Sequence, residues 1–473
     1  MQTALVWFRQ DLRLEDNPAL NRALVNGYAV VPVYLWSPGE AGDWAPGGAA
    51  KWWLHHALAD FQEQLKEEGL DLVLRKGDAL AEIPKLAEEC GAAAVYWNRC
   101  YEPWRMRIDS RLKSELKEAG LEAWSGNASL LREPWEVATQ AGKPYKVFSP
   151  FARRCQPMPD APPEDPAGRL RAPEKMPAGQ ELEELGLLPK IRWDAGLAAA
   201  WEPTRKAGQQ RLRQFLRHRV KQYDQGRNLP AVDGTSRLSP YLHWGQLGPR
   251  EVAAAVRESG SSKGVRSFYN EIIWREFAYH VLYHFPTTPE SPLQPKFRDF
   301  PWEEDDVLLK AWQQGRTGYP LVDAGMRQLY ETGWMHNRVR MLVGSFLVKH
   351  LLQPWQAGER WFWDCLVDAD LASNTLGWQW AGGCGADAAP YFRIFNPITQ
   401  SEKFDGGGEY IRRFVPELES VPDSHLHKPW TLPPQLQEAC GCRIGKEYPE
   451  PVIAHEDGRA RALAAFEKIK EVS

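Results

Sequence analysis

The pattern of apolar and polar positions changes twice along the chain. Up to about residue 130, short unbroken apolar runs alternate with longer amphipathic stretches. The runs are ALVWF (4–8), AVVPVYLW (29–36), LDLVL (70–74) and AAAVYW (92–97). Such runs predict strands buried on both faces. NPALNRALVNG, AAKWWLHHALADFQEQLKEEG, ALAEIPKLAEECG and the charged run from Arg105 to Gly120 have helical period, and most close on Gly. Strand and helix alternating at this spacing imply βαβ units, a parallel sheet and right-handed crossovers. Residues 1–130 are therefore expected to form a doubly wound, Rossmann-like α/β domain. FRQDLRLEDN stands where a GxGxxG would follow the first strand, which argues against a dinucleotide held there in the usual way.

The stretch PFARRCQPMPDAPPEDPAGRLRAPEKMPAG is too rich in proline for extended regular structure. Residues 131–203 read as an interdomain connection running over the surface. From about Thr204, long helical patterns take over, as in TRKAGQQRLRQFLRHRVKQY and YNEIIWREFAYHVLYHF. Residues 204–473 are expected to be a larger, nearly all-α domain. The Pro-rich KPWTLPPQLQ and a final helix, GRARALAAFEKIKEV, close it.

Charge modifies this picture locally. The net charge is −4, which gives no global nucleic-acid signal. Between Arg205 and Arg275, however, 14 Lys and Arg face 5 Asp and Glu. From Glu276 to Asp370 the balance reverses, to 9 basic against 13 acidic residues. A charge run is ordinarily a solvated face, so the excess alone identifies no ligand. The 7 cysteines form no CxxC pair and no spaced His/Cys set, which fits a reduced chain without a metal site. MQTALVWFRQDLR lacks the layout of a signal peptide, and there is no run of 18 apolar residues. A cytoplasmic protein without a membrane partner is expected. Of the 22 Trp, ten lie between Trp244 and Trp380. Core filling is their default role.

Three constellations carry possible chemistry. In DGTSRLSPYLHWG, Thr235, Ser236 and Ser239 offer hydroxyls, and Ser239-Pro240 reads as an N-cap with Pro at the first helical position. With Arg237 alongside, that is either a plain capped helix or an anion site suited to a pyrophosphate. In NEIIWREF, Glu271 and Trp274 share a helix face. They are a satisfied core pair, or an acid and a ring poised against a planar ligand. In TGWMHNRVRM, Asn337 and Met341 share a face while Arg338 and Arg340 project elsewhere. Asn combines donor and acceptor, as reading a base edge requires. His336 reads as hydrogen-bonded structure. A buried carboxylate in DADLASNTLGWQW needs a partner, and Arg340 with Asp368 is the expected pair.

TSRLSPYLHWG, NEIIWREF, TGYPLVDAGMRQLYETGWMHNRVRM, DADLASN, GWQW, DAAPYFRIFNP and the opening VWFRQDLRLEDNPAL together resemble the photolyase/cryptochrome family. The likeness covers nearly the whole chain and is nearest to class I cyclobutane-dimer photolyases. It implies a helical domain holding FAD, active as reduced FADH⁻, and light-driven splitting of cyclobutane pyrimidine dimers in UV-damaged DNA. Tyr223, Thr235, Ser236, Arg237, Leu238 and Ser239 match the positions around the flavin's phosphates. Asp368, Ala369 and Asp370 match those near the isoalloxazine and ribose, and Arg340 joins this set. Asn374 matches the residue facing flavin N5, where plant cryptochromes carry Asp. Phe268 stands where some relatives have Trp near the adenine. Trp378, Trp355 and Trp302 match the tryptophan chain that carries electrons in from the surface.

The same resemblance assigns the substrate pocket to Glu271, Trp274, Asn337, Met341 and Trp380. Glu271 would hydrogen-bond the dimer, Asn337 would hold the 5′ base, and Trp274 and Trp380 would form an apolar wedge. Arg227, Arg275 and Arg338 are the phosphate candidates. Relatives that repair the (6–4) photoproduct have a His pair where this chain has Asn337 and Arg338, which argues against that activity; it is the alternative reading, as is a blue-light cryptochrome receptor. Trp104 and Arg105 replace the Asn-Glu of folate-binding members. A second antenna chromophore is still expected, with a deazaflavin favoured over folate. Thr375-Leu376 departs from the Asn-Gly common after the flavin-facing Asn. A monomer is expected.

Overall fold

The computed structural model describes residues 1–470. Five strands, β1 (Thr3–Phe8), β2 (Ala29–Trp36), β3 (Val73–Lys76), β4 (Ala92–Asn98) and β5 (Glu122–Gly126), form one sheet in the order β3-β2-β1-β4-β5. Every neighbouring pair is parallel. The connecting helices are α1 (Pro18–Val25), α2 (Gly48–Glu67), α3 (Ala79–Cys90) and α4 (Pro103–Glu118). All positions of β1 and β2 are buried, as central strands of a parallel sheet must be when helices cover both faces. Leu5, Trp7, Val33 and Trp97 of the strands pack with Ile83, Leu86, Leu112 and Leu116 of α3 and α4.

Two strands differ from the sequence expectation. The third starts at Val73 rather than Leu70. Leu70 N–H instead donates to Leu65 O at 2.9 Å, closing α2, and pairing with β2 begins only at Val33 opposite Val73. The fifth, EAWSG, has no apolar run to announce it. It lies at an edge, paired with β4 alone, where burial on both faces is not required.

The segment after β1 is filled by its own polar side chains. Arg9 makes a paired contact with Asp109 (2.8 and 2.9 Å), and Asn98 Nδ2 donates to Asp11 at 2.6 Å. Arg13 reaches the carbonyls of Gly245 (2.9 Å) and Ala128 (2.8 Å). A Cβ on Gly245, whose φ is +71°, would stand 2.1 Å from Gln10 O. Only glycine allows this close approach.

The Pro-rich connection carries one early helix, α5 (Phe148–Cys155), runs irregularly to about residue 181, and then forms the short helical turns Leu182–Leu185 and Ala195–Ala200. It is pinned along its course by backbone bonds from Asp16 N to Glu164 O, Val30 N to Arg171 O and Gln180 N to Leu74 O. Thereafter helices dominate. Arg205–His218 is capped by Thr204 Oγ1, which accepts from Ala207 N at 3.1 Å. Lys263–His284 is capped by Ser262.

The chain forms two compact units. One comprises Met1–Lys221, Ser236–Pro286 and Val367–Ala372; the other comprises Gln222–Thr235, Thr287–Leu366 and the chain from Ser373 onward. In the first, Glu276 of Lys263–His284 accepts from the N–H groups of Leu131 and Arg132 at 3.0 Å each, and burial pushes its carboxyl up to about 7. In the second, the helix Asn337–Ser345 runs into a π turn, Phe346–His350. There His350 Nε2 lies 2.9 Å from His455 Nδ1 of the last helix, His455–Lys470.

Burial, with His455 and Lys349 nearby, pushes His350 down to about 3. Its neutral form therefore supports the fold fully above pH 6.5, the ordinary value for an unfolded histidine. That support is lost as pH falls from there towards 3. Between pH 6.5 and 4.5 this one group should cost about 2–3 kcal/mol. Thermal melts of His350→Gln across that range should fall less steeply than those of the parent. Parallel curves would show that His350 does not titrate this way.

Candidate functional site

In the first unit, the segment 367–372 brings two carboxylates among the 236–286 residues. Asp368 and Asp370 are each 8% exposed. Asp368 accepts from Ser239 Oγ at 2.6 Å. The helix beginning at Ser239 is only five residues long, Ser239–His243, and its N-cap is Leu238. Ser239 is thus not the cap the sequence suggested: its hydroxyl is committed to Asp368, 129 residues away. A helix this short also supplies little dipole for an anion. Arg237 takes a left-handed backbone with φ of 50°, and Ser236 Oγ accepts from Leu238 N at 3.4 Å. Leu238 and Ala369 are buried, and Phe268 packs against Phe215 with ring centroids 4.5 Å apart.

Asp370 is the centre of the larger network. It accepts from the Tyr279 hydroxyl, and His243 Nδ1 lies 3.7 Å away. Burial alone would raise its carboxyl. Nearby His243, the Arg275 guanidinium and the Tyr279 hydroxyl outweigh burial and hold it below the ordinary range. Arg275 is turned inward. It donates to Ser129 O and lies 4.9 Å from the Tyr279 ring, so its charge serves the Asp370 network. Glu271 and Trp274 lie one turn apart on Lys263–His284, both half-buried.

The second unit carries the remaining positions. Tyr223 is buried, with the Arg227 guanidinium 5.4 Å from its ring; Thr235 is half-buried. At the start of Asn337–Ser345, His336 caps the helix through Nδ1, which accepts from Arg338 N at 3.2 Å. Its neighbour Asn337 is exposed and Met341 half-buried, one turn on. Arg340 Nε donates to Met335 O at 2.8 Å. Arg338 bonds Asn228 Oδ1 and sits 4.6 Å from the Phe404 ring. Burial, then Arg227 and Arg393, lower its pKa. The charges of Arg227 and Arg393 thus act on Arg338 at this face; Arg393 lies within DAAPYFRIFNP but is not among the phosphate candidates read from the sequence.

The helix Leu371–Gly382 carries Asn374, Thr375, Trp378 and Trp380. Asn374 Nδ2 donates to Glu359 O at 2.9 Å, and Thr375 Oγ1 donates to the Glu359 carboxylate at 2.5 Å. Burial holds the Glu359 carboxyl well above its ordinary value. The departure at Thr375 therefore has a structural consequence: its hydroxyl serves a buried acid that sequence reading passed over. Trp378 is 4% exposed and Trp355 1%, while Trp302 is only half-buried. Trp378 lies so close to Gly358, on the helix Trp355–Cys365, that a Cβ there would stand 2.1 Å from its Cη2. Glu303 N donates to Leu352 O at 2.8 Å, which brings Trp302 beside the segment leading to Trp355. The Trp380 ring lies 6.4 Å from that of Phe395.

The described residues contain no group of three or more His, Cys, Asp or Glu able to hold a metal, and no helix long and apolar enough to cross a membrane. Buried polar groups must have partners. Within the first unit, the buried carboxylates Asp368 and Asp370 are of a type that suits nucleotide hydroxyls; within the second, the Asn374 amide is held by Glu359 O.

Comparison with known proteins gives the family. Residues 4–167 match the DNA photolyase family model, and residues 268–468 match the FAD-binding domain of DNA photolyase. A deoxyribodipyrimidine photo-lyase of Agrobacterium fabrum is 46% identical over 99% of this chain and 98% of its own length. Cryptochrome-1 of Arabidopsis thaliana is 38% identical over 98% of this chain and 70% of its own. The crystal structure of a bacterial class III photolyase from Agrobacterium tumefaciens, 45% identical, superposes with a TM-score of 0.96 over 100% of this chain and 98% of that one. The chain belongs to the DNA photolyase/cryptochrome family and carries that family's FAD-binding domain.

Proposed function

We propose that this protein is a light-driven DNA repair lyase that splits cyclobutane pyrimidine dimers. The observation that carries the DNA reading is the gathering of Arg227, Arg338 and Arg393 beside exposed Asn337. A face carrying several guanidinium groups suits a polyanion, and phosphates answer such groups without sequence being read. The Agrobacterium relative, a deoxyribodipyrimidine photo-lyase by name, supplies the reaction class.

In this reading Tyr223, Thr235, Ser236, Arg237, Leu238 and Ser239 hold the phosphate side of FAD. Asp368, Ala369, Asp370, Arg340 and Phe268 hold the rest. Bound and reduced, FAD supplies an electron under near-UV or blue light. Asn374, its amide nitrogen fixed on Glu359 O, presents a single orientation to the ring. Glu271 offers a carboxyl to the dimer's carbonyl and N–H edge. Asn337 holds a base, Met341 lies against it, and Trp274 and Trp380 supply apolar ring faces. The dimer must leave the stack to be reached, as in other enzymes that act on a base. The α/β part is the place for a second, antenna chromophore. A monomer acting in the cytoplasm completes the proposal.

The test is repair of an oligonucleotide bearing one cyclobutane thymine dimer by reduced protein in blue light, with a dark control and a (6–4) substrate alongside. Loss of the cyclobutane dimer in light alone is expected. No repair with flavin bound and reduced would move the protein to the photoreceptors. Asn337→Ala should weaken dimer-DNA affinity by roughly tenfold, the value of one good base-edge pair, and leave flavin content unchanged. Co-purification of less FAD with that variant would remove Asn337 from the substrate side.

A further inference from the structure

The half-buried indole of Trp274 has a neighbour that the sequence reading did not use. Phe148, the first residue of α5, lies on it with ring centroids 3.6 Å apart and planes inclined by 6°. Aromatic pairs left to themselves prefer offset or edge-on packing, so the surrounding structure imposes this face-to-face arrangement. The scaffold is visible. Phe151 and Cys155, on the same short helix, are each 1% exposed. Phe151 meets Phe277 at 5.2 Å and His280 at 5.1 Å. Phe277 stands one turn after Trp274 and meets both stacked rings edge-on, at 5.9 Å from Phe148 and 5.8 Å from Trp274. Just upstream, Tyr145 N donates to His280 Nε2 at 2.9 Å. Phe148 is therefore carried on a clamped element and is not a mobile cover.

We propose that Phe148 is a positioning residue for damage recognition: it covers one face of Trp274 and fixes the indole plane, so that the opposite face is presented ready-set to the extruded dimer. The proposal rests on the reading of Trp274 as a substrate-facing ring. A half-exposed tryptophan on a helix has a broad terminal torsion, and immobilising it on binding would oppose association. Stacking on Phe148 meets that ordering cost during folding, which is preorganisation. The effect belongs to the flipped base and not to the phosphates, so affinity for undamaged DNA is independent of it.

The test uses flavin-loaded protein and measures affinity for dimer-bearing and undamaged duplexes, repair yield at saturating substrate, flavin content and melting temperature. Phe148→Leu should bind dimer DNA roughly 3- to 10-fold more weakly. Undamaged-DNA affinity, flavin content and saturated yield should match the parent. Phe148→Tyr, which keeps the ring, should restore dimer affinity. Phe148→Met keeps apolar bulk without a ring and carries the test if the leucine variant melts early. A double-mutant cycle with Trp274→Leu should be non-additive. Parental affinity in both ringless variants, while Trp274→Leu binds weakly, would overturn the proposal. So would an additive cycle. Parental affinity in Trp274→Leu itself would instead overturn the substrate role of Trp274, a separate failure.

Discussion

Asp370→Ala is expected to release the flavin and to lower stability by about 3–5 kcal/mol, the cost of breaking a buried charge network by removing one member. The carboxylate accepts from the Tyr279 hydroxyl and faces His243 and Arg275. Without it, that hydroxyl loses its acceptor, and His243 and Arg275 lose the carboxylate they face, inside the protein. Because its folded value is depressed, the support Asp370 gives is present above the ordinary aspartate range and lost as pH falls through and below it. Asp370→Asn separates charge from shape: it should keep more of the fold than alanine and still lose flavin. The checks are flavin absorbance per protein and thermal melts of each variant. Full flavin content with an unshifted melt in Asp370→Ala would show that the network neither supports the fold nor serves the cofactor.

Trp378→Phe should abolish photoreduction of the oxidised protein while leaving repair by chemically reduced protein intact. Phenylalanine keeps apolar bulk between Phe362 and Trp312, whose rings meet Trp378 at 4.9 and 6.0 Å, but it lacks the easily oxidised indole. Gly358→Ala reaches the same ring by sterics. The added methyl would stand 2.1 Å from Cη2 and 2.3 Å from Cζ3, so the indole or the helix must move. Such overpacking costs about 1–3 kcal/mol, and photoreduction should slow as the ring leaves its place against Gly358 and Phe362. Flash absorbance of the oxidised form, read against repair after dithionite, distinguishes the two functions. Unimpaired photoreduction in Trp378→Phe would take Trp378 out of the electron path.

Much of this was legible in the covalent order. Alternating apolar runs and amphipathic stretches located four of the five strands and the helices between them, because period is a local property recorded residue by residue. The same holds for Lys263–His284, whose Glu271, Trp274 and Phe277 fall on neighbouring turns. The family motifs supplied the proposed flavin set, since they are contiguous strings. β5 escaped because an edge strand needs no apolar run. Ser239 was misread as a cap because its true partner, Asp368, is 129 residues away. His243 and Tyr279 around Asp370, Glu359 under Thr375, Arg393 beside Arg338 and Phe148 on Trp274 are likewise long-range pairings. By itself the sequence determined the elements that carry an apolar period, which residue types lie on each, and the family to which they belong. Only the tertiary structure decided which side chain answers which, because a hydrogen bond or a stacked ring depends on distance in space, and separation along the chain does not encode it.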